Sequence, residues 1–206
     1  MYLLKPMALI ACLFIASTSF AQKPKVPDEN VVRLIFNESL GQKLLFFKPR
    51  KLPYEVERTH KKLVRSMEKW VNLDLIIKKK TRFLAEKIMY GEPRMVSVGG
   101  FEFSLNQDNP WVSEQGFFYG RANMKDLFEL SAVSFIADEY YCEAYVSWTV
   151  VDMPDWLPKV NLKERQNRLL KRAFESHKRP FEKRIHLIYR EKKWQLWDEK
   201  GEQTLF

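Results

Sequence analysis

Apolar positions change period along this chain, and the changes divide it into a helical third, a strand-rich third and a mixed C-terminal third. Asp28 is a suitable N-cap, and Val31, Val32, Ile35 and Leu40 then recur at helical spacing. Gly41 weakens that helix and Lys48-Pro49-Arg50-Lys51 ends it. Pro53 suits the first position of a second helix, predicted from Tyr54 to about Ile77, with Val56, Leu63, Val64, Met67, Trp70 and Val71 as its apolar stripe. Lys78-Lys79-Lys80 interrupts the stripe. Residues 83–90 then read as one or two further helical turns closing at Gly91 and Pro93.

From Met95 the period falls to two. Residues 95–98 and 101–105 alternate around Gly99-Gly100, a pair suited to a bulge or bend, and residues 106–113 form a turn cluster. Strands follow at 117–121, 127–136 and 140–151. In the last of these Cys142, Ala144, Val146, Trp148 and Val150 share one face, and Glu143, Tyr145, Ser147 and Thr149 the other. One dry face and one wet face is the antiparallel pattern. After a loop at 152–158, Asn161 caps a predicted helix through about His177. Leu162, Leu169, Leu170, Ala173 and Phe174 fall on one side of it and Arg165, Arg168 and Arg172 on the other. Pro180 ends that helix. Ile185, Leu187 and Tyr189 alternate with His186, Ile188 and Arg190, residues 191–193 turn, and Trp194 to Trp197 return as a second strand. Trp148 and Trp194 are both expected in the core. The predicted class is α+β: N-terminal helices packed on a curved antiparallel sheet of about five or six strands, with one long basic helix before the C-terminal hairpin.

The first 21 residues place this domain. Lys5, an apolar run at 7–16 and then Ser19-Phe20-Ala21 follow the order of a cleaved secretory signal, with cleavage expected after Ala21. Leu9-Ile10-Ala11-Cys12 offers a second reading, a lipoprotein signal. The short spacing from Lys5 and the apolar residues after Cys12 favour cleavage. The expectation is an exported, periplasmic or secreted, chain of one domain at 22–206, with no transmembrane segment once the signal is removed. Cys12 leaves with the signal, so Cys142 is the one cysteine of the mature chain. That excludes an internal disulfide and a CxxC redox or zinc site.

Charge and chemistry add less. The formal net charge is +9 at pH 7, and residues 158–193 hold thirteen Lys or Arg against four Glu. The stripe Arg165, Arg168 and Arg172, with Lys171, is the candidate anion-binding surface; an anionic envelope component or a small apolar ligand is the partner class expected. Nucleic acid is not expected, since export and the lack of a recognition module argue against it. His60, His177 and His186 are far apart and in no metal-ligand spacing, so no metal or cofactor is predicted. Cys142 lies on a dry strand face, where a thiol packs as a small hydrophobe. Asp138, Glu139 and Glu143 mark a turn and a wet face. Asp152, just past an apolar strand, is the weakest-supported but remaining acid/base candidate. Gly116 to Gly120 lacks the Lys-Ser/Thr of a phosphate loop, and Asn37-Glu38-Ser39 is a glycosylation sequon only in a eukaryotic secretory route.

Helices first, then a curved antiparallel sheet ending in a strand, a charged turn and Trp-x-Leu-Trp-Asp at 194–198, resembles the nuclear transport factor two-like (SnoaL-like, cystatin-like cone) superfamily. The match covers Ile185 to Asp198 and the order of elements. The resemblance implies a cone of sheet closed by helices, with a concavity used for binding, catalysis or dimerisation. It carries over no functional residue. A lipocalin-like half-barrel is the alternative fold. Two functions follow: a non-catalytic ligand- or partner-binding module with a basic helix face, or a small-pocket SnoaL-like enzyme acting on a small organic molecule.

Overall fold

The computed structural model describes residues 23–198 and Leu205. The segment read as a signal, the cleavage expected after Ala21 and Cys12 lie outside the described residues. Helix α1 spans Glu29–Phe36 and runs into a π-helical turn, Asn37–Gly41. Strands β1 (Leu44–Phe47) and β2 (Tyr54–Glu57) precede helix α2 (Lys61–Val71). Two strands of fourteen residues follow, β3 (Ile76–Met89) and β4 (Glu92–Leu105). Then come β5 (Val112–Ser113), β6 (Gly116–Leu130), β7 (Ser134–Ile136) and β8 (Glu139–Val151). Helix α3 (Arg168–Phe174) and the pair β9 (Phe181–Arg190) and β10 (Lys193–Leu196) follow and are the last helix and strands among the described residues. Among the described residues no helix is long and apolar enough to cross a membrane.

Every strand pairing is antiparallel. The larger sheet runs β1-β6-β8-β9-β10, with β5 on β6 and β7 on β8; the smaller runs β2-β4-β3. Three hairpins close through two-residue turns with both residues left-handed: Tyr90-Gly91, Ala137-Asp138 and Glu191-Lys192. Such turns match the twist of paired strands and fix their register.

The large sheet curls because β6 is bulged. Its register with β8 shifts between Met124 and Asp126 and again between Leu127 and Glu129. A bulge strands backbone groups, and here α1 recovers them. Arg33 donates to the carbonyls of Met124 (2.6 Å) and Lys125 (2.9 Å), and Asn37 Oδ1 accepts from the Met124 amide (3.0 Å). Asn37, the sequon residue, therefore has its side-chain oxygen committed to the sheet. Asp126 and Ser147 close the same region: Ser147 Oγ accepts from the Asp126 amide and donates to its carboxylate, both at 3.1 Å.

The dry face of β8 is as expected: Cys142, Ala144, Val146, Trp148 and Val150 are all buried. They pack with Val32, Ile35 and Phe36 of α1 and with Ile185 and Leu187 of β9 in one continuous core. Trp148 stacks on Phe181 with ring centroids 4.4 Å apart. A second aromatic group centres on Trp70 of α2, which meets Phe47 (5.7 Å), Phe117 (5.3 Å) and Trp156 (6.3 Å).

The α+β class and the curved antiparallel sheet stand, but several elements are corrected. The helix predicted over 54–77 is only α2. Tyr54-Glu55-Val56-Glu57 is a strand because its alternation buries Val56 against β4. Residues 83–90 are not helical turns; residues 83–89 are the distal part of β3, held extended by pairing with β4, and Tyr90 begins the turn between the two strands. Gly99-Gly100 makes no bulge, since the β3–β4 register runs through it unshifted. The long basic helix predicted over 161–177 is reduced to a 3₁₀ turn at Arg165–Asn167 and the seven residues of α3. Glu164 is extended there (ψ 135°), its carboxylate drawn to Lys69 and Gln166, and Asn161 Oδ1 accepts from the Lys163 amide in a local turn. Leu169 and Phe174, expected on a buried side, are exposed. Trp194 is only partly buried, and its indole N–H reaches the Lys25 carbonyl at 3.0 Å.

Candidate functional site

The long β3–β4 hairpin stands out once its two faces are separated. Strand β2 pairs with β4 only as far as Gly100, whose partner on β3 is Thr81. Beyond that level residues 82–99 form a ribbon of two strands, roughly 25 Å long at strand rise. Phe83, Ala85, Lys87, Val96 and Val98 are half-buried, while Arg82, Leu84, Glu86, Ile88, Met95 and Ser97 are exposed. Lys87 donates to Glu57 at 2.6 Å, tying the half-buried face towards β2, and that hydrogen bond holds the Glu57 carboxyl below its usual range.

The open face carries large apolar side chains into solvent: Leu84 is 64% exposed, Ile88 80%, Met95 61% and Tyr90, in the turn, 92%. Single exposed apolar residues are ordinary, but a cluster on a two-stranded ribbon is not. Towards the base the same face turns cationic. Lys80 lies opposite Phe101 and Arg82 opposite Gly99. Arg58 lies over the Phe101 ring at 5.6 Å and Lys78 over it at 4.0 Å. Lys78 also pairs with Glu68 at 2.5 Å. Among the described residues, Arg58, Lys80 and Arg82 are in no ion pair.

The arginine stripe is divided by the shortened helix. Arg165 and Arg168 are exposed, and Lys171 approaches Glu175 at 3.9 Å. Arg172 is used structurally: it donates to the carbonyls of Arg179 and Pro180 and stacks on Phe181 at 4.3 Å. It locks the exit from α3 into β9.

Two cavities test the small-pocket reading. The first, about 300 Å³, lies between the end of α2 and residues 159–167. Its carboxylate, Glu164, accepts from Lys69, Gln166 and Asn161, and the Lys69 hydrogen bond leads in holding its pKa low. The second, about 370 Å³, brings Cys142, Glu143, His186 and Ser131 together beside Trp197. A thiol, an imidazole and a carboxylate make a nucleophile-and-base set on paper. Here the environment works against it. Burial pushes the Cys142 thiol up to about 11, so it stays protonated at neutral pH. Arg184 clamps Glu143 at 2.6 Å and holds its carboxyl below the usual range, while His186 is 3.8 Å from Glu143. Both shifts move away from what a working nucleophile or general base needs. Asp152 sits in an exposed left-handed turn (φ 54°) and lines neither cavity. His60 and His177 lie at helix ends, exposed, and no metal-holding group of side chains exists among the described residues.

No protein-family model, curated protein or solved structure matches the chain.

The ribbon was missed in the sequence because Phe83-Leu84-Ala85 and Ile88-Met89-Tyr90 cluster rather than alternate. One signal was present: a strand over 95–105 needs a partner of similar length, and Tyr90-Gly91 is the turn that supplies it.

Proposed function

We propose that the chain is an exported, non-catalytic partner-binding module whose contact element is the distal β3–β4 ribbon. The observation that supports this best is the open row Leu84, Ile88, Tyr90 and Met95 on a ribbon that, among the described residues, pairs with no third strand. Two-stranded ribbons are marginal in water, and apolar side chains on them are a liability unless something covers them. Export rests on the N-terminal order of Lys5, an apolar run and Ser-Phe-Ala. The anionic character expected of the partner finds its cations at the ribbon base, in Arg58, Lys80 and Arg82, as well as in Arg165 and Arg168. The enzyme reading loses ground because, in the cavity that gathers a thiol, an imidazole and a carboxylate, burial raises the Cys142 thiol and Arg184 is clamped on Glu143.

The test replaces Leu84 and Ile88 together with threonine, which keeps strand propensity and removes the apolar surface. Melting should change by no more than about 0.5 kcal/mol per site, as for exposed positions. In a gentle extract of the source cells, wild type should run on gel filtration well above monomer size and the double variant at monomer size. Wild type at monomer size, or a variant that keeps the larger size, contradicts the proposal.

A further inference from the structure

Resting on the ribbon reading above, we infer that the partner adds an extended, acid-rich strand to the outer edge of β3. In the small sheet, ordered β2-β4-β3, β3 is an edge strand, and beyond Gly100 the other edge of the ribbon is β4. Among the described residues, no backbone–backbone hydrogen bond outside the β3–β4 pairing involves residues 79–89, and the one side-chain contact to their backbone is a long one, from the Thr81 hydroxyl to the Arg82 carbonyl at 3.5 Å. That edge is long and regular, because the fourteen pairs run without a register shift and β3 contains no proline. Folded proteins blunt such edges with charge, proline or bulges. Here Lys78-Lys79-Lys80 guard the base, and the stretch from Arg82 outward sets Leu84, Ala85, Ile88 and Met89 beside Arg82, Glu86 and Lys87, the last engaged with Glu57. The other free edge, on β4 beyond Gly100, is obstructed: Pro93 lacks an N–H and the Gly99 carbonyl already accepts from the Arg58 amide at 3.2 Å. Of the two edges, β3 is the one open to a strand.

The side-chain row states what that strand must look like. A strand laid beside β3 brings every second side chain alongside Lys80, Arg82, Leu84, Glu86 and Ile88 in turn. Arg58, Lys80 and Arg82 call for carboxylates at one end, and Leu84 and Ile88 for apolar side chains at the other. Main-chain bonds would supply affinity and this alternation the selectivity. A second copy fits less well, since antiparallel pairing about Leu84, the middle of residues 79–89, would set Arg82 against Glu86 of the other copy but Lys80 against Ile88, leaving Arg58 and Lys80 without carboxylates. A membrane surface fits less well too. Glu86 and Glu92 flank the apolar tip and would have to enter the lipid with it.

The probes are two synthetic peptides of roughly ten residues, one alternating Asp and Thr then Val and Thr, the other in the reverse order, so that either strand direction is sampled. One of them should bind the full mature chain by fluorescence anisotropy and slow amide exchange across residues 79–89 by about tenfold or more. Lys80→Glu with Arg82→Glu should weaken it about tenfold or more, and added salt should weaken it in the same direction. Binding without protection of residues 79–89 overturns strand addition. So does the failure of both peptides; if the Leu84/Ile88 variant still changes complex size, the ribbon reading survives that failure. Retention on anionic lipid vesicles with inert peptides would assign the ribbon to a membrane instead. A concentration-dependent dimer of the purified chain, protected over 79–89, would assign it to a second copy.

Discussion

Replacing Trp148 with alanine is expected to lower the unfolding free energy by about 3–5 kcal/mol. A domain of this size has only about 5–15 kcal/mol to lose. Trp148 is fully buried, in the middle of β8, with Met124 as its cross-strand partner on β6 and Phe181 on β9. Its indole stacks on Phe181, and Phe181 in turn carries the Arg172 guanidinium on its ring. Truncation therefore opens a void between three strands and loosens the exit from α3. Trp194 sets the scale for comparison. It is partly buried near the start of β10, held by Tyr189 and the Lys25 carbonyl, and its alanine variant should lose clearly less. Urea unfolding of both variants checks the order. Equal losses, or a loss at Trp148 below about 1 kcal/mol, would mean that β8 does not form the centre of the core.

The second large effect is expected at Gly100, where the ribbon leaves the body. A Cβ there would stand 2.3 Å from the Val56 carbonyl oxygen and 2.6 Å from the Phe83 ring. The oxygen belongs to the backbone of β2, so alanine must push β2 off β4 or shift the ring. The expected cost is about 2–3 kcal/mol, in the range of overpacked sites. Gly99 is the control: a Cβ there meets nothing within 4 Å, and Gly99→Ala should be near neutral. The Gly100 variant should also lose the Lys87–Glu57 contact, visible as faster exchange over 82–89 and 92–99. Matching stability for the two alanine variants would show that β2 does not press on β4 as described.

These contrasts indicate what could be read from the sequence. Strand β8 was legible because alternation over more than ten residues has only one explanation when both faces are so different in polarity. The hairpin of β9 and β10 was legible for the same reason, together with its Glu191-Lys192 turn. Helix α1 was given by Asp28, whose carboxylate does accept from the Val31 amide at 3.0 Å. What failed was local propensity under tertiary control. Residues 54–57 and 76–90 carry apolar residues at spacings that also suit a helix, and only long-range pairing with β4 decides between the two. Trp156 looked like a loop residue, yet it is buried against Trp70 and Phe117; nothing near it in sequence announces partners so far away. The charge-rich segment at 161–177 misled differently. Its arginines were grouped by an ideal helix, but Arg172 turns inward to carbonyls and only a short α3 forms. Leu84, Ile88 and Tyr90 of the exposed row were hidden for the first of these reasons, since a residue assigned to a helix cannot be assigned to an open strand face.

Site-directed photocrosslinking in the source cells addresses the ribbon most directly. A photoreactive amino acid is placed at Ile88 on the ribbon, at Arg168 on the basic segment or at Asp152 beyond β8, one position at a time. All three side chains are exposed, so each variant should fold and each probe meets what lies outside it. Irradiation is expected to give a discrete heavier adduct from Ile88, absent from Asp152 and Arg168, and lost when Leu84 is also changed to threonine. A discrete adduct from Arg168 with none from Ile88 would place the partner on the basic segment and contradict the ribbon as the contact element.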